Sequence, residues 1–359
     1  MSKILFLNDL HIGSHKDNKQ LKKELKEIVF KTIKKSKPKL VVMGGDLFHK
    51  KLSKNSDESF LSDWFITMLV KICIKRKIYL RIIKGTISHD YNQLNSYENL
   101  QDSDGIFRLI RSVEVEILFK RKILFIPEEY PIDWKEYYSE YLDNKYDFIF
   151  GHGTFDFASW KQQQILSETP IQSAPVFDSE VFSPLAKLIV FGHIHIFMKK
   201  KNIIHSASFS RNSYGEEKDK GMILITYFEK TKKVKYKRII NHLAPTFKTV
   251  NLKNKEFTSP EKIIDYINKK KEIYDNVRII GINNLEFGKE ITRKVYKNDK
   301  NVKIDIKAEI NKEKRDESFD FVLNKEGSNE EIVKKFIKIK KGKDISIEKI
   351  IELTSDIEE

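Results

Sequence analysis

The side chains of this 359-residue chain that could do chemistry are histidines and aspartates placed just after short apolar runs. Asp9 and His11 follow the run ending at Leu7, and Asp46 follows Gly44-Gly45. His89 and Asp90 follow the run 78–83, His152 the run 147–150, and His193 and His195 the run 188–191. In extended backbone, residues i and i+2 point to the same side. Asp9-Leu10-His11 and His193-Ile194-His195 therefore each offer two ligands to one ion. Gathered at one edge, these groups would repel one another when protonated and be costly to desolvate when unpaired. Divalent cations resolve both problems. A mixed imidazole and carboxylate set without cysteine favours Mn first, with Mg, Fe or Zn open. The number of ligands suggests two ions, and the two oxygens of a carboxylate such as Asp46 can bridge them. Two ions about 3.5–4 Å apart clamp a phosphate and activate a water for in-line attack.

Such convergence needs elements that bring distant residues to one rim. Residues 3–8, 39–43 and 78–83 read as buried strands. Between them lie helical patterns, one with Leu21, Leu25, Ile28, Val29 and Ile33 on one face and another over 58–75. This alternation predicts an α/β start with mostly parallel pairing. Strand-like runs follow at 113–119, 122–126, 147–150, 188–191, 203–206, 222–228 and 233–240. The later ones are joined by short polar connections, as antiparallel strands are. Residues 1–243 are expected to form one large domain of packed sheets with helices outside. In open α/β sheets ligands bind beyond the carboxyl ends of strands, where the candidate residues stand. Ala244-Pro245 marks a boundary, and 244–325 reads as a small α+β domain with strands at 247–252, 277–282 and 302–306. Residues 326–359 read as a helical tail, opened by the capping box Ser328-Asn329-Glu330-Glu331.

Composition narrows the class. The chain is 40% hydrophobic, which excludes wholesale disorder. One cysteine, Cys73, excludes a framework of intramolecular disulfides. No run approaches the ~18 apolar residues of a membrane span, and the first residues do not read as a signal peptide, so a cytoplasmic protein is expected. The net charge is +15. Residues 1–245 carry 41 basic and 29 acidic side chains, whereas 246–359 carry 26 and 23. This uneven surplus fits either a polyanionic partner such as nucleic acid or a solvated lysine-rich surface.

Taken together, Asp9-Leu10-His11, Gly44-Gly45-Asp46, Ser88-His89-Asp90, Gly151-His152 and Gly192-His193-Ile194-His195 resemble the motif series of the calcineurin-like metallophosphoesterase superfamily. Gly45-Asp46-Leu47-Phe48-His49 and Ser206 to Arg211, with Tyr214 to Glu217 and Lys220-Gly221, are similar to segments of SbcD-type DNA double-strand-break repair nucleases. Phage recombination endonuclease subunits are the nearest type by size. The resemblance implies a calcineurin-like sandwich of two β-sheets flanked by helices, with a capping domain and helical tail. It implies that Asp9, His11 and His195 hold one metal, His152 and His193 the second, and Asp46 bridges. It makes His89 the catalytic histidine, oriented by Asp90, and His49 an auxiliary one. One motif departs: the family has asparagine as a ligand before His-Asp, where this chain has Ser88 in a loop two residues longer. Either Ser88, or a water it holds, or a nearby backbone carbonyl is expected to serve there.

The resemblance also implies a Mn-dependent DNA exo- and endonuclease. It would form a homodimer and dock an SbcC-type (SMC-like) ATPase through the tail. The rival readings are a metallophosphatase of non-DNA phosphoesters and a non-enzymatic subunit that scaffolds DNA ends. Of the lesser candidates, His15 and His242 lie in polar stretches and are expected to be exposed. His205 is expected to be structural or to support a ligand. Arg211 fits either a phosphate contact or a salt bridge, and Lys199 to Lys201 either a DNA backbone contact or a solvated turn.

Overall fold

In the computed structural model, residues 1–15, 17–101, 104–158, 175–252, 259–282, 285–296 and 301–304 are described. The first strand, β1 (Ser2–Leu7), is apolar on both faces: Ile4 and Phe6 turn one way, Leu5 and Leu7 the other, and all four are fully buried. Strands buried on both faces read as unbroken apolar runs. The same holds for β2 (Leu40–Gly44), and β3 (Tyr79–Ile83) departs from it at the buried Arg81, which pairs with Glu116 at 2.7 Å. These three pair in parallel with each other and with β4 (Phe107–Ile110).

Next along the chain come β5 (Glu114–Leu118), β6 (Arg121–Ile126), β7 (Tyr146–His152) and the short pair β8 (Thr154–Phe155) and β9 (Val176–Phe177). They are followed by β10 (Ala186–Gly192), β11 (Phe197–Lys200), β12 (Ile203–Ser206), β13 (Gly221–Phe228) and β14 (Lys233–Ile240). One six-stranded sheet has the order β14-β13-β1-β2-β3-β4 and the other β11-β12-β10-β7-β6-β5. Antiparallel pairing is confined to the outer positions, β5/β6, β11/β12, β1/β13 and β13/β14. The expectation of antiparallel pairing for the later strands therefore fails for β10 and β12. The short β11 carries the chain out between them, and β10 and β12 run parallel.

Between the sheets, Ile4, Phe6, Leu40 and Val42 meet Phe125, Phe148, Phe150 and Val190, and the Phe6 and Phe150 rings stack at 5.7 Å. The outer face of the first sheet is covered by α1 (Asn18–Glu24), the π-helical stretch Leu25–Phe30, α2 (Lys31–Ser36) and α3 (Asp57–Arg76). Helix α3 is well bounded. The Ser56 hydroxyl accepts from Ser59 N at 3.2 Å, acids fill its first turn and bases its last. The outer face of the second sheet packs on Phe155, Phe177, Phe182 and Tyr138. This is the calcineurin-like sandwich.

Three further strands, β15 (Phe247–Asn251), β16 (Asn276–Ile280) and β17 (Val302–Ile304), form a sheet of their own. The helix Pro260–Lys271 lies between the first two in sequence. The chain divides into two compact units, residues 1–250 with 266–278, and residues 251–265 with those from 279 on. The helical tail expected at 326–359, and the residues 305–325 before it, lie outside the described residues. Among the described residues no helix is long and apolar enough to cross a membrane.

Candidate metal centre

The parallel strands β1, β2, β3, β6, β7 and β10 all end on one edge, and each delivers a polar group there. The loops after β1 and β2 are zipped together: Asp9 N donates to Gly45 O (3.0 Å), His11 N to Asp46 O (3.1 Å) and Ile12 N to Leu47 O (2.9 Å). Asp9 (φ 49°), His11 (φ 45°), Asp46 (φ 50°) and His193 (φ 81°) all adopt left-handed backbone. Such residues cost of order 1–3 kcal/mol each and persist only where surroundings over-determine them. Alternation along extended backbone is therefore not what aims Asp9 and His11 at one point. Tight turns pinned by the neighbouring loop do it. Gly45 (φ 92°) is required here, since a Cβ at this position would run into the His152 ring. A Cβ at Gly85 would strike the backbone of Asp46.

Three sets of ligand atoms each lie within 4.8 Å of one another: Asp9, His11 and His195; Asp46, His152 and His193; and His11, His49 and His89. His193 and His195, expected from their spacing to aim together, are split between the first two sets by the turn at His193.

Hydrogen bonds on the far side of the His152, His195 and His89 rings decide which nitrogen each turns to the site. His152 Nδ1 meets the Gly44 carbonyl at 2.7 Å, and a carbonyl only accepts, so this nitrogen carries the proton. His152 Nε2 then faces Asp46 Oδ1 (3.4 Å) and Glu128 Oε2 (3.5 Å). His195 Nδ1 donates to Glu216 Oε1 at 2.5 Å, leaving Nε2 to face His11 Nε2 at 2.9 Å. His89 Nδ1 donates to the His49 carbonyl at 2.5 Å, so its Nε2 points at Asp46 Oδ2, 4.0 Å away. Acceptors aimed at one another in this way repel unless a proton or a metal ion lies between them, and a metal ion can take the place of the protons that His152 and His195 hold. Ring nitrogens fixed from behind are the usual arrangement of metal-binding histidines. The donor set thus fits a centre for two divalent ions.

The electrostatics agree. Burial raises Asp9, although His152 and His195 oppose it. Burial acts the same way on Asp46, but His152, His11 and His89 outweigh it and hold this carboxyl well below its ordinary value. Burial drives His11 well below the usual imidazole range, and His195 adds to this. In His152 burial is overcome by Asp46, Asp9 and Glu128, which hold the ring well above that range. A cation entering here displaces protons, so binding is coupled to their release.

A sequence model of the calcineurin-like phosphoesterase family matches residues 2–197. The chain belongs to the calcineurin-like phosphoesterase family. With its His and Asp clusters, this calcineurin-like phosphoesterase is a metal-dependent hydrolase of phosphoesters. Among solved structures it is similar to an archaeal phosphodiesterase (12% identity, 66% of this chain and 99% of that one, TM-score 0.32). It is also similar to YfcE, a phosphoesterase from E. coli (15%, 66% and 99%, TM-score 0.31). A hypothetical protein from Thermus thermophilus is similar as well (9%, 66% and 99%, TM-score 0.39). No curated protein matches.

In this phosphoesterase Asp9, His11, Asp46, His152, His193 and His195 come together, with His49 and His89 at the more open side. Ser88 does not join them. It lies exposed on the short helix α4 (Ile87–Asp90), and the lengthened loop instead presents Thr86. The Thr86 amide donates to Asp46 Oδ1 at 2.7 Å, and its hydroxyl lies 3.2 Å from Glu128 Oε2 and 3.5 Å from His152 Nε2. Asp90 does not orient the His89 ring, which is held by the His49 carbonyl. Its own oxygens accept from Gly85 N (2.7 Å) and Phe48 N (3.2 Å), pinning the loop. Burial, then the charge of Asp46, push it up to about 7.

Glu128 and Glu216 are the site residues that motif reading left without roles. Glu128 follows Pro127 just past β6, so its position beyond a parallel strand was the available signal. Glu216 lies in a polar loop, where nothing in the sequence points toward His195. His15 is half-buried rather than exposed, with Nε2 2.9 Å from the Leu10 carbonyl. His242 is exposed. His205 is fully buried between Gly192 O and Phe155 N, both at 3.4 Å. Arg211 Nη1 donates to the Ala244 carbonyl at 3.2 Å. Lys200 and Lys201 pair with Glu180.

Proposed function

We propose that this phosphoesterase is a Mn-dependent DNA nuclease, with duplex exonuclease and single-strand endonuclease activity, acting in recombination or double-strand-break repair. The observation that carries the reading is a basic groove beside the His89 side of the site. It has a volume of about 350 Å³, and Lys51, Lys54, Tyr91, Asn92 and Gln93 line it, with Asp63 as its one acidic residue among the described residues. Gln93 Nε2 donates to the carbonyls of Lys50 (3.1 Å) and His89 (3.3 Å), so groove and site share one loop framework. Lys50, Lys51 and Lys54 are exposed, as is Tyr91. Cations beside an exposed ring suit a strand whose phosphates are neutralised and whose bases stack.

Asp9, His11 and His195 would hold one ion and His152 and His193 the other, with Asp46 between them. Bound there, the ions supply the Lewis acidity that polarises a phosphodiester and lowers the pKa of water. An oxygen- and imidazole-rich set without thiolate suits Mn. His89, 28% exposed at the side chain, has its Nδ1 proton fixed on the His49 carbonyl. Its Nε2 is therefore free to hold or pass a proton at the departing sugar oxygen. His49 stacks on His89 at 5.4 Å and limits its tilt. An SbcC-type ATPase engaged through residues 326–359 and a homodimer belong to the same reading and rest on the sequence resemblance, and a cytoplasmic location is proposed with them.

The test compares labelled duplex and single-stranded DNA with a small chromogenic phosphodiester in Mn²⁺. Cleavage of DNA, reduced at least about 100-fold in His89→Ala with Mn binding retained, is the expected result. DNA left intact while the small diester turns over would overturn the assignment of substrate. DNA bound but never cut would favour the scaffold.

A further inference from the structure

The carboxylate of Glu128 is 2% exposed and sits on the turn that follows β6. Burying a carboxylate costs several kcal/mol unless it is paired. Its surroundings show what pairs it. Oε2 lies 3.1 Å from His193 Nδ1, 3.2 Å from Thr86 Oγ1 and 3.5 Å from His152 Nε2. Oε1 takes the hydroxyl of Tyr130, which holds the group from behind. The backbone is fixed as well, since Glu128 N donates to the Lys84 carbonyl at 3.2 Å, next to the loop that presents Thr86.

The Nδ1 proton of His152 is committed to Gly44 O, so Glu128 Oε2 and Asp46 Oδ1 approach the same nitrogen, Nε2, from two directions, at 3.5 and 3.4 Å. Without an ion, only a proton on Nε2 reconciles the two carboxylates with the ring; an ion that takes that proton's place meets both oxygens and the nitrogen at once. We propose that Glu128 is a ligand of the ion held by Asp46, His152 and His193, with Thr86 bracing it and Tyr130 orienting it. The proposal rests on the two-ion reading of the site, and it does not depend on the substrate being DNA. A carboxylate at this position makes the set two carboxylates and two neutral imidazoles, balancing a divalent charge. It also biases the site toward hard, oxygen-preferring ions such as Mn²⁺ over softer ones.

The experiment is calorimetric titration of the full chain with MnCl2, with Mn²⁺ paramagnetic resonance as a second readout. The wild type is expected to take up two ions and to show the signal of a coupled pair. Glu128→Ala is expected to retain one ion at unchanged affinity, to bind the second at least about 30-fold more weakly and to lose the coupled signal. Glu128→Gln keeps the shape and one donor oxygen, so it should fold like the wild type and fall between the two. Its thermal midpoint guards against misfolding as the cause. Two ions bound at wild-type affinity by both variants would overturn the assignment, as would a wild type that binds only one. DNA cleavage lost or kept does not enter this test, so the ligand and the substrate stand or fall separately.

Discussion

Replacing Glu216 with Gln changes one oxygen to nitrogen in a side chain that does three things at once. Oε1 accepts the His195 Nδ1 proton at 2.5 Å, Oε2 accepts from Asn212 N at 2.8 Å, and the Lys220 ammonium lies 3.6 Å from Oε1. Burial pushes Glu216 up, but His195 and Lys220 outweigh it and hold the carboxyl far below its ordinary value. A glutamine has one acceptor oxygen for two donors, so either His195 or Asn212 faces an NH2 group. Losing one hydrogen bond to a charged acceptor costs about 1.5–3 kcal/mol. Lys220 is fully buried and loses its counter-charge, which alone would suggest about 3–5 kcal/mol. It keeps bonds to the His195 carbonyl (2.7 Å) and Ser208 Oγ (2.9 Å), which places the sum near the low end, about 3 kcal/mol. For a domain of this size that lowers the thermal midpoint by roughly 6–12 °C. Releasing the ring should weaken the ion held by Asp9, His11 and His195 by about 10–100-fold. Thermal unfolding and Mn²⁺ titration read the two effects. A midpoint within about 2 °C of wild type, together with Mn²⁺ affinity within about two-fold, would refute the idea that Glu216 fixes His195.

Two further outcomes follow from the same geometry. Burial, reinforced by His193 and His152, pushes His205 down to about 3. The folded chain therefore refuses a proton that the unfolded chain accepts below about pH 6.5. The stability from the neutral ring is complete above that pH and is lost as pH falls toward 3, amounting to about 2 kcal/mol by pH 5. Urea midpoints of His205→Gln against wild type between pH 7 and pH 5 should show that part of the decline removed; parallel declines would contradict it. Lys51→Ala with Lys54→Ala should weaken DNA binding and lower the slope of log affinity against log salt by about 2, leaving turnover of a small diester unchanged. An unaltered slope would place the DNA elsewhere.

The central strands of the two sheets were legible because they are largely apolar on both faces. A run such as Ile4 to Leu7 cannot sit anywhere except between two buried layers, and β1, β2 and β3 end within a residue or two of where the runs end. Strand β4 was missed because Phe107-Arg108-Leu109-Ile110 is short and broken by a charge. That charge makes sense only between the two sheets, where Arg108 Nη1 and Arg81 Nε meet the carboxylate of Glu116 on β5 at 2.6 and 2.7 Å. The order of pairing was harder still. Nothing local in Ile203 to Ser206 says that it lies beside β10 in parallel rather than folding back upon it.

At the site, residue types survive in sequence while directions do not. Histidine and aspartate after an apolar strand mark a rim, but the rule of alternating sides presumes extended backbone. Asp9, His11, Asp46 and His193 all leave it for the left-handed region. These turns are stabilised by partners thirty or more residues away: the loop after β2 for Asp9 and His11, and the Asp9 carboxylate, which accepts from His193 N at 3.2 Å. The same reasoning explains Ser88. Position in the motif named the residue before His89, yet the added length lets the loop turn earlier. The hydroxyl facing the ligands is thus Thr86, and a carboxylate from another strand end, Glu128, stands opposite it. A motif records which side chain a given loop length presents, so when the length changes the site must be rebuilt from whatever polar groups the neighbouring strand ends bring into reach.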